Sequence, residues 1–514
     1  MITLQQTQAA DCDVLVVGAG PGGAATATYL ARAGWRVTLI DAATFPRDKV
    51  CGDFVGPVAL DELNRLGLTG TAGFPRTNVV TRAAFHLNGK ELLRRDLPGG
   101  AEGLPPYGRV IPRLLLDDWI LRGAVNAGAG LVENCRFLSY ATDDDGVTVM
   151  TRYRGEERRF RTRLLVAADG SHSSVGRQLT GNKYPADSKI VAVRAYCEGV
   201  TGAAEQADLY FNGDSFPGYY WYFPTGPDTA NLGVGMVLET LPPSEDHLKA
   251  LLKDVMANDP VLRARLKDAR IVGKVLGWPL STYDPGYPIF ADRMLLVGDA
   301  AGLINSLNGE GIQYALLSGR WAAEAAAECL RADTLDAAAL GRYRRRVMDE
   351  IGYDLALSRL IIQFIRNRQL NPLWLKLLEI IVTRARQDDG YADTAGGVLA
   401  GTVPAKEVLS PDFLIKTIFQ GGVTLGLDGV AEVLRGPVRW GHLLRDSARF
   451  SARLGRHVAE DPRGYARWVT GVARDGLGLA GSAVADLLPT RPPDRTERVS
   501  PPPAVNLIDT LPTS

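Results

Sequence analysis

Three stretches of the chain predict an α/β fold in three parts. Residues Asp13 to Asp41 read as an apolar strand, a glycine turn, an alanine-rich helix and a second strand, the βαβ unit around which a parallel sheet is built. Residues 188–240 alternate apolar and polar side chains, the period of two expected of an antiparallel sheet. From about residue 337 onward the apolar positions recur at helical spacing. A Rossmann-like domain, an antiparallel β domain and a helical C-terminal region follow.

In the first unit, Val14 to Val17 form the strand, and Gly18, Gly20 and Gly23 stand at G-x-G-x-x-G spacing with Gly22 between them. Gly18 permits the tight turn, Gly20 lets backbone approach a pyrophosphate, and Gly23 lets helix and strand pack closely. The helix over about Gly22 to Ala33 directs its N-terminus, with unpaired N–H groups and partial positive charge, at that pyrophosphate. Trp35 to Ile40 is the second strand, and Asp41 at its end can accept hydrogen bonds from ribose hydroxyls. A bare strand–helix turn would need neither the second strand nor the terminal acid.

After a loop, FPRDKVCGD (Phe45 to Asp53), a helix is expected over Val58 to Leu66. Strand-like alternation covers 77–110, with an Asn88–Gly89 turn, and a helix begins near Arg113. Strands follow at about 131–141, 146–153 and 158–167, the last a buried run returning to the parallel sheet. Beyond the alternating stretch come a helix over 243–267, two strands, the buried strand MLLVGDAAG (Met294 to Gly302) and a long helix from near Leu303 to about Leu330. The expected domains are therefore 10–75, 108–182 and 290–335 for the nucleotide-binding part, 76–107 and 183–289 for the antiparallel part, and 336–488 for the helical region. Residues 489–514, rich in proline and polar residues, are expected to be a disordered tail.

Composition excludes several functions. Lys plus Arg equal Asp plus Glu at 58 each, so no charge draws the chain to nucleic acid. The cysteines Cys12, Cys51, Cys135, Cys197 and Cys329 are scattered without metal-ligand spacing; a reduced thiol set and no metal site are expected. The first eleven residues lack the pattern of a signal peptide, and no apolar run is long enough to span a bilayer. A cytoplasmic protein with no transmembrane segment is the expectation.

Two later motifs bear on the cofactor. LLVGDAAG places Gly298 and Asp299 at a strand end, where a carboxylate can hold the ribityl hydroxyls of a flavin, with Gly302 closing the turn. LLVAADGSHSSVGR places Asp169 and Gly170 at another strand end. Singly, the first could be a helix cap and the second a turn. Together with the βαβ unit they resemble the FAD-dependent fold of para-hydroxybenzoate hydroxylase. That resemblance implies a glutathione-reductase-type FAD domain beside an antiparallel substrate-binding sheet, and a role for Arg113 in contacting FAD; a solvent-facing arginine is the alternative. No second nucleotide-binding βαβ unit is present, so NAD(P)H and a reduced protein carrier, a reductase or ferredoxin, both remain open as electron donor.

Within that fold, FPRDKVCGD and PGYYWYFPTGPDTANLGVG (Pro217 to Gly235) resemble the geranylgeranyl reductase family, over roughly residues 10–420. The W-x-W-x-I-P stretch of flavin halogenases is absent. Tyr219, Trp221 and Phe223 alternate and so share one face of a strand, a rigid wall suited to an apolar substrate or simply sheet core. Cys51, between the basic pair Arg47 and Lys49 and the acidic Asp53, is a candidate proton donor or redox partner if a cation lowers its pKa, or a packed thiol. The resemblance implies hydride reduction of C=C bonds in an isoprenoid or polyene. A monooxygenase hydroxylating or epoxidising an apolar or aromatic substrate is the alternative, and a non-redox cyclase containing FAD the third. The apolar helical faces would serve as a lid or as a weak peripheral membrane contact.

Overall fold

In a computed structural model the chain is described over residues 10–98, 103–242, 246–417, 419–420 and 455–487. The expected tail at 489–514 and much of the 412–487 helical stretch lie outside the described residues.

The first βαβ unit sets the frame. Strand Cys12–Val17 lies in the middle of a sheet, parallel to Val37–Ile40 on one side and to Glu156–Ala167 on the other. Gly130–Val132 extends the sheet beyond the former, and Met294–Leu296 extends it beyond the latter. The central strands are buried on both faces, which is why they read as continuous apolar runs rather than alternating ones. Helix Pro21–Arg32 packs on this sheet and against helices Arg113–Asn126 and Ile312–Arg331. Small residues make that approach close: a side chain at Gly319 would meet the Gly22 carbonyl at 2.6 Å.

The second sheet has seven strands. Their order is Arg270–Ser281, Lys189–Glu198, Thr229–Val237, Tyr219–Pro224, Gln206–Phe211, Arg82–Leu87 and Lys90–Asp96. It is antiparallel except that Gln206–Phe211 runs parallel to Arg82–Leu87. The exception arises because the 82–96 hairpin comes from a distant part of the chain, so no tight turn dictates its direction. One face carries Tyr220, Tyr222, Leu232 and Val234, which bury Leu248, Leu252 and Val255 of helix His247–Asn258. The expected single helix over 243–267 is broken there: Pro260 cannot continue it, and Asp259 caps a second helix, Pro260–Arg265.

A three-stranded sheet of Phe54–Val55, Gly108–Val110 and Asn78–Val80 adjoins the two larger ones. Helices Ala337–Val347, Tyr353–Ile365, Asn371–Gln387, Asp389–Ala400 and Pro462–Leu487 make up the described C-terminal region. The last packs on Tyr353–Ile365 and is held by an ion pair, Arg359 Nε to Asp475 at 3.1 Å, with both groups buried. Among the described residues no helix is long and apolar enough to cross a membrane.

Candidate active site

Three adjacent parallel strands end side by side, and each delivers one motif. Val17 pairs with Ala167, which pairs with Leu296, so Gly18, Asp169 and Gly298 emerge at the same edge. This is the edge where open α/β sheets bind ligands. Gly18 has φ +103°, and a side chain there would strike the Ala168 carbonyl at 2.2 Å. At Gly23 it would meet the Gly18 carbonyl at 1.9 Å. Gly20 differs: only Arg47 comes within contact range of its missing side chain, at 3.4 Å. No side chain caps the helix at Gly20, which leaves the first turn's donors for a ligand. Asp41 is half-buried, with Oδ2 accepting from Ala19 N and Oδ1 from Ala43 N, both at 2.8 Å. Those bonds fix the carboxylate beside the glycine turn. The crowded Gly18 and Gly23, open Gly20 and uncapped helix fit the FAD pyrophosphate, and Asp41 would be the ribose acceptor.

At the other end of the edge, Asp299 Oδ2 accepts from Lys49 Nζ and Ser171 Oγ, each at 3.0 Å. Burial is the strongest single influence and works against its ionisation, but the Lys49 charge, the hydrogen bonds from Lys49 and Ser171 and the more distant Arg113 together hold the carboxyl below its ordinary range. The long helix does not follow at once. Gly298 to Ala301 form a 3₁₀ turn closed by Gly302 at φ +69°, and the helix starts only at Ile312. Asn305 Oδ1, accepting from Leu307 and Asn308 N–H, and Gly309 at φ +70° shape the intervening loop. These local bonds compete with helix and move its N-terminus from the expected Leu303. Glu310 caps it instead, accepting from Gln313 N at 3.0 Å. Asp169 acts as a cap as well: its carboxylate receives Ser173 Oγ and Ser174 N, each at 2.6 Å, at the start of helix Ser174–Thr180.

Arg113 is 5% exposed, which rules out the solvent-facing alternative. Its Nη2 donates to Asp117 Oδ2 at 2.7 Å, and Arg47 reaches the same oxygen at 3.0 Å. Thus Arg47 and Lys49, the basic pair expected to act on Cys51, are committed to Asp117 and Asp299. The cation beside the Cys51 thiol is Arg113. The expected lowering of the thiol pKa is also reversed: burial pushes it up, opposed by Arg113 and reinforced by Asp53.

Tyr219, Trp221 and Phe223 share one face, with Tyr219–Trp221 and Trp221–Phe223 ring centroids each 6.4 Å apart. Phe211 extends the row at 5.8 Å from Tyr219, and Phe54 at 5.5 Å from Phe223. Gly233, on the next strand, makes room for the indole; a side chain there would meet Trp221 at 2.2 Å. The Cys51 loop lies against this wall, since a side chain at Gly52 would meet Phe223 at 3.0 Å and Trp221 Nε1 at 3.4 Å. Asn231 binds the two together: its Oδ1 accepts from Trp221 Nε1 at 2.9 Å, and its Nδ2 donates to the Cys51 carbonyl and to Asp53 Oδ2, each at 2.8 Å. Tyr219 donates to the Asn308 carbonyl, which joins the wall to the loop after Asp299.

Asn231, Asp53, Glu310 and Tyr196, whose hydroxyl donates to Asp53 Oδ2 at 2.6 Å, are residues of this site to which sequence reasoning gave no role. For Asn231 the signal was faint, a polar residue in an otherwise apolar buried strand. Among the described residues no group of three or more His, Cys, Asp or Glu side chains could hold a metal, and all five cysteines are free.

Comparison with known proteins agrees with this geometry. An FAD binding domain model matches residues 11–233. The chain is 36% identical over 325 residues to menaquinone reductase of Mycobacterium tuberculosis, covering 61% of this chain and 76% of that one. It is 31% identical over 372 residues to digeranylgeranylglycerophospholipid reductase 2 of Methanopyrus kandleri, covering 70% of this chain and 89% of that one. Among solved structures, a geranylgeranyl bacteriochlorophyll reductase-like protein from Thermoplasma acidophilum shares the fold. Its TM-score is 0.59 at 23% identity, over 79% of this chain and 95% of that one. The chain is an FAD-dependent oxidoreductase and belongs to the geranylgeranyl reductase family.

Proposed function

We propose that this oxidoreductase reduces C=C bonds of an apolar isoprenoid or polyene. The observation that carries the reading is the seating of the Cys51 loop on the Tyr219–Phe223 wall through Asn231. That contact places a thiol and an extended aromatic surface together beside the dinucleotide edge. Bound FAD, once reduced, supplies a hydride. The chain's part is to hold the apolar substrate against Tyr219, Trp221 and Phe223, to exclude water, and to present a proton from the Cys51 thiol. The raised thiol pKa means that the group is protonated at neutral pH, the form in which it can donate. Arg113, buried beside the thiol, is itself held by Asp117.

The names of the two reductases above point to prenylated lipids as substrates, which suits a wall of this length. The electron donor is either NAD(P)H or a reduced protein carrier. Exposed Leu373, Ile415 and Phe419 support a weak membrane contact through which a lipid substrate would enter.

The test is anaerobic turnover of a polyprenylated quinone or geranylgeranyl lipid by FAD-loaded protein with chemical reductant. The product should be heavier by two hydrogens per bond reduced. A product formed only in air and carrying an atom of labelled oxygen would establish a monooxygenase instead.

A further inference from the structure

We infer that Asp53 is a positioning residue for Cys51: its buried carboxyl clamps the Cys51 loop to the aromatic strand and keeps the thiol in its protonated, proton-donating form. The inference deepens the reductase reading and relies on it only for the use to which the thiol's proton is put.

Asp53 is fully buried, at 0% exposure, and its backbone takes the left-handed conformation with φ +63°. Ile111 N donates to its carbonyl at 2.8 Å, which anchors that turn. Its own N–H donates to Cys51 Sγ at 3.4 Å, so thiol and carboxyl belong to one tight loop. Both hydrogen bonds to the carboxyl fall on Oδ2, from Tyr196 Oη at 2.6 Å and Asn231 Nδ2 at 2.8 Å. Oδ1 is buried with no partner.

The charged groups facing the carboxyl are Arg113 and Arg194, and neither pairs with it. Arg113 is held by Asp117, while Arg194 is held by Asp48 and lies over the Tyr196 ring at 4.2 Å. A buried carboxyl with two donors on one oxygen and no ion pair is costly to ionise. Burial accordingly pushes it up to about 6, against the two hydrogen bonds and the guanidiniums. Above that pH the carboxylate is a negative charge beside the thiol, and a like charge disfavours the thiolate. The carboxyl therefore ionises first and the thiol keeps its proton.

Iodoacetamide labelling of FAD-loaded, full-length protein between pH 5 and 9.5 tests this, with Cys51 followed by peptide mass spectrometry. The other four cysteines are buried, and only thiolate reacts. The logarithm of the wild-type rate should climb with pH, flatten near pH 6 as Asp53 ionises, then climb again. Asp53→Asn suits the left-handed backbone. It should remove the flattening and label about tenfold faster at pH 8, the equivalent of one pKa unit. Tyr196→Phe removes a donor to the carboxylate and should move the flattening to higher pH. That variant keeps the carboxyl and decides the matter if Asp53→Asn does not take up FAD. Wild-type profiles in the variants, or a smooth wild-type curve, would overturn the inference. Labelling needs no turnover, so it is unaffected if the product assay shows oxygenation instead of reduction.

Discussion

The two ends of the site are built by different means. The dinucleotide end is made of backbone: Gly18, Gly20 and Gly23 shape a turn within six residues, and only Asp41 adds a side chain. The proposed substrate end is made of side chains from remote stretches, with Cys51, Asp53, Tyr196, Trp221 and Asn231 meeting from one loop and three strands. Local backbone constraints leave few sequences that satisfy them, so the first end can be read from the spacing of its glycines. The second end can be assembled in many ways, and its chemistry depends on which partner each polar group finds.

Substitutions should separate the two ends. The largest effect is expected at Cys51. Losing one positioned proton-transfer group costs about 100- to 10,000-fold in rate, so Cys51→Ser should slow product formation by that factor while FAD stays bound. A loss below about tenfold would reduce the thiol to packing. Next is the pH dependence of stability. Asp53 is raised from an ordinary 3.8 to about 6 in the fold. Its contribution is therefore full below pH 3.8 and is lost as pH rises through 6. That interval corresponds to about 3 kcal/mol. Urea unfolding of Asp53→Asn against wild type should show the variant gaining most of that amount between pH 4 and pH 8; a pH-independent difference would show the carboxyl titrates normally. The smallest effect belongs to the backbone-built end. Asp41→Ala removes a charged hydrogen-bond acceptor worth about 1.5–3 kcal/mol, which is about 10- to 100-fold in FAD affinity by titration. It should leave the pH profile of Cys51 labelling unchanged; a shifted profile would mean the two ends are coupled.

This contrast also explains which features are legible in the sequence. The βαβ unit, the strand ends carrying Asp169 and Asp299, and the shared face of Tyr219, Trp221 and Phe223 follow from local pattern and from the period of a strand. Where the helix after Asp299 begins did not, because Asn305 and Gly309 spend their bonds on a loop that hydrophobic pattern cannot reveal. The environment of Cys51 is hidden from the sequence for a related reason. Neighbours in sequence, Arg47 and Lys49, suggested an activated thiol, yet each pairs with a carboxylate 70 or more residues away. Burial, which no local pattern supplies, then decides the sign. Asn231 became visible only when strand pairing placed it between the loop and the indole.

If the Cys51 loop and the aromatic strand form one substrate wall, photolabelling of FAD-loaded protein with a polyprenyl quinone carrying a diazirine on its tail, followed by peptide mapping, will mark both. Labels should fall together on the peptides containing Cys51–Phe54 and Tyr219–Phe223. Labels confined to helix Asn371–Gln387, or to Leu248–Val255 behind the sheet, would contradict it.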